Sequence, residues 1–260
     1  MNLEVKEKLK ELADKYENKD FLKNDPSKYM HLFSEARNQE IVAFISANLA
    51  FGKRSQILNH IEIILESAKE NPEEWILCDG YKKLFPESDA SFYRVYSFKD
   101  MLLFFDGIKK ILVEEGSLGK AFEKKYFWHL ENNSLNEKIY LSKIIPSFFD
   151  KKCKLLAHEK KSAAKKLNMF LRWMVRDNSP VDLGLWSSWY KKSDLLIPLD
   201  THVLQEAVKL QLLKTSAPGK KINADFKSAL ALTQELNLAF PGDPARGDYA
   251  LFGLGVDGQE

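Results

Sequence analysis

The chain has only two cysteines among its 260 residues, Cys78 and Cys153, and they form no Cys-X-X-Cys pair. Two cysteines are too few for a disulfide framework or for a four-cysteine zinc or iron–sulfur site. No apolar run reaches the ~18 residues that a membrane-spanning helix needs. The charged N-terminal segment also contains no apolar stretch of the signal-peptide type. These absences favour a cytoplasmic protein.

Strand signals are scarce as well. No stretch alternates apolar and polar residues over a useful length, and no Asn-Gly or Asp-Gly pair joins two such stretches. Apolar residues recur instead at every third or fourth position, which predicts an all-α fold. The expected helices cover residues 3–16, 37–50, 54–69, 71–84, 98–114, 117–126, 136–149, 165–176, 200–213, 225–239 and 247–254.

The positive charge is unevenly distributed. The net charge of the whole chain is only +2, yet residues 151–176 combine nine cations with a single acid, Glu159. A basic patch on a mildly acidic protein is typical of a site for a polyanion, although a solvated lysine-rich loop gives the same pattern. The cations are Lys151, Lys152, Lys154, Lys160, Lys161, Lys165, Lys166, Arg172 and Arg176.

The predicted helix over 165–176 has an apolar stripe and a basic edge. The edge is spaced by three or four residues and consists of Lys161, Lys165, Asn168, Arg172 and Arg176. Lys165 lies in the first turn, where the helix dipole and the neighbouring cations favour a neutral amine. A neutral amine is what a nucleophilic lysine requires, but an ordinary surface lysine fits the sequence too.

The helix that follows residues 197–199 begins with a plausible cap, Asp200. Its carboxylate either caps the helix alone or also faces Lys165. His202 stands alone near the same helix start, and no second histidine or cysteine is placed to share a metal with it, so a hydrogen-bonding role is the simpler reading. Between the two helices, residues 177–199 form a long loop that contains Trp186 and Trp189.

The segment IPLDTHVLQEAVKLQLL resembles the part of helix–hairpin–helix DNA glycosylases in which Asp-Thr-His opens a helix after a proline-containing turn. The resemblance implies that Asp200 is catalytic. Aligning KKLNMFLRW with the preceding helix of that superfamily places the nucleophilic lysine of the bifunctional enzymes on Lys165, with Lys166 as the alternative register.

Other blocks extend the resemblance over most of the chain. Residues 39–55 are similar to an early helix whose C-terminal loop approaches DNA, and residues 243–255 resemble the closing helix of the 8-oxoguanine branch. The blocks LNMFLRWMVR, PLDTHVL and DYALFGLGV also look like those of a bacterial family of uncharacterised proteins. The glycosylase resemblance implies one two-lobed helical unit, with lobe one over about 37–178 and lobe two over about 1–36 plus 179–260.

One element departs from the superfamily pattern. Where those enzymes carry a glycine-rich hairpin of the Leu-Pro-Gly-Val-Gly type, this chain reads LLAHEKKSAAKK, which contains no glycine. Glycine in such a hairpin lets backbone amides approach a phosphate closely. Either lysine charge replaces those amides here, or the DNA role has been lost.

The function implied by the resemblance is base-excision repair by a DNA glycosylase with lyase activity. The expected partner is double-stranded DNA with a damaged base, for which an oxidised purine is the best candidate. No metal or organic cofactor is expected, and a nucleoid-associated monomer is favoured. The alternatives are a non-catalytic DNA- or RNA-binding protein and an unrelated interaction protein or enzyme.

The same resemblance assigns the remaining site residues. Residues expected to contact nucleic acid are Lys53, Arg54, Lys161, Asn168, Arg172, Arg176 and His202. Aromatic residues expected to stack on a base are Phe51, Trp173, Trp186 and Trp189, although each also suits a structural role in packing.

Overall fold

The computed structural model describes residues 1–134, 137–159, 161–214 and 221–257, and the fold of these residues is all-α. Lys160 of the lysine-rich run and residue 136 of the predicted helix over 136–149 lie outside the described residues. The helices are α1 Leu3–Tyr16, α2 Ala36–Leu49, α3 Arg54–Ala68, α4 Pro72–Leu77, α5 Tyr81–Leu84, α6 Phe98–Glu115, α7 Leu118–Glu131, α8 Leu141–Ile144, α9 Lys165–Val175, α10 Thr201–Lys209, α11 Phe226–Leu236 and α12 Gly247–Asp257. Short 3-10 turns cover Lys19–Asn24, Pro26–Leu32, Ile145–Phe148, Lys192–Asp194 and Pro244–Arg246. Within the described ranges, no helix is both long enough and apolar enough to cross a membrane.

Most helix bounds agree with the sequence periodicity, but two predictions were wrong. The helix expected over 136–149 is reduced to α8 and a 3-10 turn, because Pro146 lacks the amide hydrogen that a continued helix needs. The helix expected over 71–84 is split into α4 and α5 at Asp79, whose φ of 61° is left-handed. Helix propensity alone does not reveal such a break.

A small hairpin interrupts the helices. Strands β1 (Ser91–Tyr93) and β2 (Tyr96–Ser97) pair antiparallel, and Arg94 forms the turn with a φ of 53°. The prediction that the chain contains no hairpin was wrong. Strands of three and two residues are too short to show a polar–apolar alternation, and the turn uses an arginine where Asn-Gly or Asp-Gly is usual.

The chain divides into two compact units. Unit 1 comprises Met1–Lys23 with Glu159–Glu260, and unit 2 comprises Asn24–His158. The boundaries therefore differ from the expected ones near 36 and 178. The 3-10 turn at Pro26–Leu32 packs on α2, which places it in unit 2. Helix α9 belongs to unit 1, because the loop that follows this helix packs back on it. In that loop, Leu183 and Trp186 donate their amides to carbonyls near the C-terminal end of α9.

Each unit has its own core. In unit 2 three aromatic rings, those of Phe44, Phe104 and Phe149, lie with centroids 5.4 to 5.9 Å apart. In unit 1, α12 packs against α1 and α10. Its buried residues Ala250 and Leu251 belong to one cluster with Leu9 of α1 and Ala207 of α10. This packing positions α10, whose N-cap residue Asp200 belongs to the candidate site.

Candidate functional site

Lys165 is the first residue of α9, and the chain before it is held rigidly. Ala164 has a φ of 48°, in the left-handed region, and its amide donates to Ser162 Oγ at 3.1 Å. The amide of Phe226 donates to the carbonyl of Lys161 at 2.9 Å, which ties this segment to the start of α11. These bonds define where the side chain of Lys165 begins.

Asn168 also belongs to this turn. Its side-chain amide donates to the carbonyl of Ala163 at 2.8 Å, and the residue is buried. The prediction that Asn168 contacts nucleic acid was therefore wrong. Its spacing placed it in line with Lys165, but the amide is used to stabilise the backbone that positions Lys165.

Asp200 is the N-cap of α10, and it also contacts Lys165. One carboxylate oxygen, Oδ1, accepts the amide hydrogen of Val203 at 2.9 Å. The other oxygen, Oδ2, lies 2.9 Å from Nζ of Lys165. The side chains of Lys165 and Asp200 are 35% and 30% exposed, so the pair is open to solvent on one side. The structure thus combines the two roles that the sequence left as alternatives for Asp200.

The electrostatics of this pair keep Asp200 ionised at neutral pH. Burial by itself would raise the pKa of the Asp200 carboxyl. The Lys165 ammonium and the Val203 amide outweigh burial and lower the pKa below its usual 3.8. A carboxylate that is ionised at neutral pH beside an amine suits the stabilisation of positive charge on a substrate.

Lys165 contacts Asp200 in the structure. Lys166 is half-buried on the same first turn of α9 and remains the alternative register. Near this site, Lys161 and His202 are exposed, and the positive charge of His202 would lower the pKa of Asp200 further. Their expected contact with nucleic acid stays a prediction.

Arg172 and Arg176 do not form an exposed basic edge. They are 3% and 2% exposed. Arg172 pairs with Asp182 and Asp248. Arg176 forms two bonds to Asp243 and also contacts Asp182 and Glu17. The prediction that these arginines bind phosphates was wrong, because buried guanidinium groups that carboxylates already saturate cannot reach a DNA backbone.

The acids of this buried cluster were not predicted from the sequence. Asp182 lies in the loop after α9, and Asp248 lies in the first turn of α12. Burial raises the pKa of Asp248 to about 6, although the charge of Arg172 opposes the rise. The helical spacing of Arg172 and Arg176 showed the face that they share, but it gave no signal that buried acids from other segments pair with them.

Two of the four aromatic residues expected to stack on a base are buried. Trp173 and Trp186 lie in the core of unit 1, where the ring of Trp186 meets Phe170 edge-on at 5.1 Å. Their predicted role in base stacking was wrong for this reason. Trp189 is partly exposed, with its ring 5.4 Å from that of Trp186. Phe51, in unit 2, is 46% exposed.

Phe51 belongs to a basic surface of unit 2, here called the hairpin surface, that consists of Phe51, Lys53, Arg54 and Arg94. All four residues are exposed, and the Arg94 guanidinium lies 4.7 Å from the centroid of the Phe51 ring. Tyr93 donates its hydroxyl to the carbonyl of Phe51 at 2.5 Å. Residues 51–61 and 90–99 contain no acid. Arg94 was not among the predicted site residues, because the hairpin that carries it was not predicted.

Two further observations concern possible metal ligands in the structure and proteins that are similar to this chain. Among the described residues, no group of three or more His, Cys, Asp or Glu side chains could hold a metal ion. Neither the comparison with curated proteins nor the comparison with solved structures gave a match. A family model does match residues 25–257, which is most of the chain. The chain therefore belongs to the family described as "Protein of unknown function (DUF2400)".

Proposed function

We propose that this protein is a DNA glycosylase with lyase activity, which removes a damaged base through a covalent bond to Lys165. The observation that carries the proposal is the contact of 2.9 Å between Lys165 Nζ and Asp200 Oδ2, at the starts of two helices and open to solvent. An amine beside an ionised carboxylate is the pair of groups that this reaction needs. The resemblance of the Asp200 segment to the glycosylase turn gives the substrate class.

The chemistry assigns a separate role to each group. The amine of Lys165, once deprotonated, forms a bond to the sugar carbon C1′. The glycosidic bond breaks and its electron pair leaves with the base, which takes up a proton. The Asp200 carboxylate stabilises the positive charge that develops on the sugar. Opening of the sugar then gives an imine between Lys165 and C1′, and loss of a C2′ proton expels the 3′ phosphate.

The base must leave the DNA stack to reach Lys165. Close to Lys165 and Asp200 in the sequence, the exposed residues Lys161 and His202 are available to contact phosphate. The partly exposed Trp189, in the loop after α9, is available to stack on a base. An oxidised purine such as 8-oxoguanine is the proposed lesion, from the likeness of residues 243–255 to that branch. A monomer that acts on nucleoid DNA in the cytoplasm is the form we propose.

Borohydride trapping tests the proposal directly. The full chain is incubated with duplex DNA that contains an abasic site or 8-oxoguanine, and borohydride reduces any imine to a stable protein–DNA bond. We expect a trapped complex with the wild type and none with Lys165→Ala. Lys166→Ala is the matched control and should trap normally. Loss of trapping in Lys166→Ala alone would move the nucleophile to Lys166, and a lack of trapping on every lesion would contradict the lyase reaction.

The hairpin surface supports a second candidate function, a nucleic-acid-binding protein without catalysis. An exposed aromatic ring beside cations, in segments without acids, suits a strand whose bases stack and whose phosphates pair with the cations. The glycine-free stretch over 155–166 fits this alternative. Salt-dependent binding of DNA that is weakened in Arg94→Ala but unchanged in Lys165→Ala, with no trapping in the wild type, would favour it.

A further inference from the structure

Asp248 is a largely buried carboxyl. It has no role in the chemistry proposed for Lys165 and Asp200. It lies in the first turn of α12, which packs against α10, the helix that Asp200 caps. Its side chain is 13% exposed, and Arg172 of α9 donates to its Oδ2. Arg172, in the last turn of α9, thus joins Asp248 to the helix that Lys165 begins, and α10, which Asp200 caps, packs against the helix of Asp248. The charges of Lys165 and Asp200 both act on Asp248.

The cluster around Asp248 has more acids than cations. Arg172, Arg176 and Arg246 are its guanidinium groups, and Arg246 also bonds to Glu17 and Asp14. Its four largely buried carboxylates are Glu17, Asp182, Asp243 and Asp248, whereas Asp14 is 68% exposed and lies at the edge of the cluster. An excess of negative charge in a buried network favours the uptake of a proton by one of its carboxyls. Because Arg172 bonds to Oδ2 of Asp248, a proton on this residue would lie on Oδ1.

Asp200 and Asp248 differ in their affinity for that proton. Burial raises the pKa of Asp248 to about 6, and the carboxylates of Asp200 and Asp182 add to the rise against the opposing charges of Arg172 and Lys165. The pKa of Asp200 is lowered. Two neighbouring carboxyls whose environments separate their pKa values in this way have the properties of an acid and an anion.

We propose that Asp248 is the general acid that donates a proton to the base as it leaves. This inference rests on the proposed function and adds the source of a proton to it. In this step the O–H bond of the Asp248 carboxyl breaks, and a new bond to hydrogen forms on the departing base, which receives the electron pair of the glycosidic bond. Asp248 becomes a carboxylate, and Arg172 stabilises its charge. The step needs no further reactant.

The test compares two substrates, because only one of them has a base to protonate. Duplex DNA with 8-oxoguanine, or with whichever damaged base the wild type excises best, requires the acid; an abasic site does not. In Asp248→Asn we expect excision of the base to slow by on the order of 10²-fold, while cleavage at the abasic site changes less than about 2-fold. Asp248→Glu should recover part of the excision rate.

A pH profile and a control variant separate this catalytic role of Asp248 from a structural role. In the wild type, excision should slow as the pH rises through about 6, because the acid form is lost, and Asp248→Asn should lack this limb. Asp182→Asn is the matched control, since Asp182 also bonds to Arg172. It should slow both reactions equally or neither.

The outcomes distinguish the inference from the proposed function. A wild type that is inert on both substrates contradicts the proposed function. An active wild type whose Asp248→Asn variant slows both reactions to the same extent, or neither, overturns the inference alone. A protein that cleaves abasic sites but excises no base also overturns it, because no base then leaves.

Discussion

Asp200 contacts Lys165 and caps α10 with the two oxygens of a single carboxylate, each at 2.9 Å from its partner atom. The structural role needs only an acceptor for the Val203 amide. The proposed chemical role needs the negative charge. Substitutions that keep one property and remove the other can therefore separate the two roles.

Asp200→Asn should keep the cap and lose most of the activity. Asparagine is as good an N-cap as aspartate, so the free energy of unfolding should change little. The loss of the charge should slow base excision by roughly 10²- to 10³-fold, the range for removing one electrostatic contact to a transition state. Single-turnover excision and urea unfolding measure the two effects.

Asp200→Ala is the matched variant for the cap. It should lose the same activity and, in addition, about 1 kcal/mol of stability, because the Val203 amide then has no acceptor. Full activity in Asp200→Asn would show that the charge is not needed, and the assignment of Asp200 would fail.

Arg176 should matter for stability and not for DNA binding. Arg176→Ala removes the guanidinium partner of Asp243 and one of the two arginines that pair with the buried Asp182, which should cost roughly 3 to 5 kcal/mol. The exposed Lys161 is the control, and Lys161→Ala should stay within about 0.5 kcal/mol of the wild type. Urea unfolding at neutral pH measures both. An Arg176→Ala protein of normal stability that binds DNA more weakly would restore the predicted phosphate contact.

Gly52 should be essential for the hairpin surface. Its φ is 119°, and a Cβ there would lie 2.8 Å from Cδ of Arg94 and 2.9 Å from the hydroxyl of Tyr93. Gly52→Ala should therefore cost roughly 1 to 3 kcal/mol and move Arg94 off the Phe51 ring. Urea unfolding and the anisotropy of labelled DNA measure the two effects.

Gly116→Ala is the control for that substitution, because Gly116 also has a positive φ of 82° but a Cβ there meets nothing within 4 Å. It should be strained without a clash, and it should leave DNA affinity unchanged. Equal effects of the two substitutions on DNA affinity would mean that the hairpin surface does not bind the strand.

The contribution of Asp248 to stability should decrease as the pH rises, which is opposite to the usual behaviour of an acidic residue. Because burial raises its pKa from 3.8 to about 6, its contribution is fully present below pH 3.8 and is lost as the pH rises through about 6. Asparagine imitates the protonated form. The stability of Asp248→Asn relative to the wild type should therefore improve between pH 4 and pH 7, by on the order of 1 to 3 kcal/mol. Urea unfolding across this range measures the difference, and a difference that does not vary with pH would contradict the raised pKa.

The sequence predicted those parts of the fold that local pattern determines. The bounds of α1 were predicted to the residue, and those of α9 to within one, because apolar spacing and a clear start signal agree there. The hairpin of β1 and β2 was not predictable in this way. Its strands are held by pairing and by the packing of Tyr93 and Tyr96, which are buried, and burial of that kind is a tertiary property.

The candidate site likewise contains residues that local sequence signals identify and residues whose environment depends on tertiary packing. Residues close to a helix start, such as Lys165 and Asp200, could be named, because caps and first turns have sequence signals. The burial of Arg172 and Arg176 could not be foreseen from spacing. A helical face is read from the sequence, but what covers it is not. Here the covering acids come from segments as distant as Glu17 and Asp248.

The division of the chain has a consequence for its synthesis and folding. Unit 2 is one continuous segment, whereas unit 1 is built from residues on both sides of it. Helix α1 packs on α12, and Glu17 pairs with Arg246, which lies 229 positions away. A chain emerging from the ribosome can complete unit 2 early, but α1 must wait for α12 with its apolar face uncovered. Until then the apolar face of α1 lacks the helix that covers it, and α10, which carries Asp200 at its start, lacks its packing against α12.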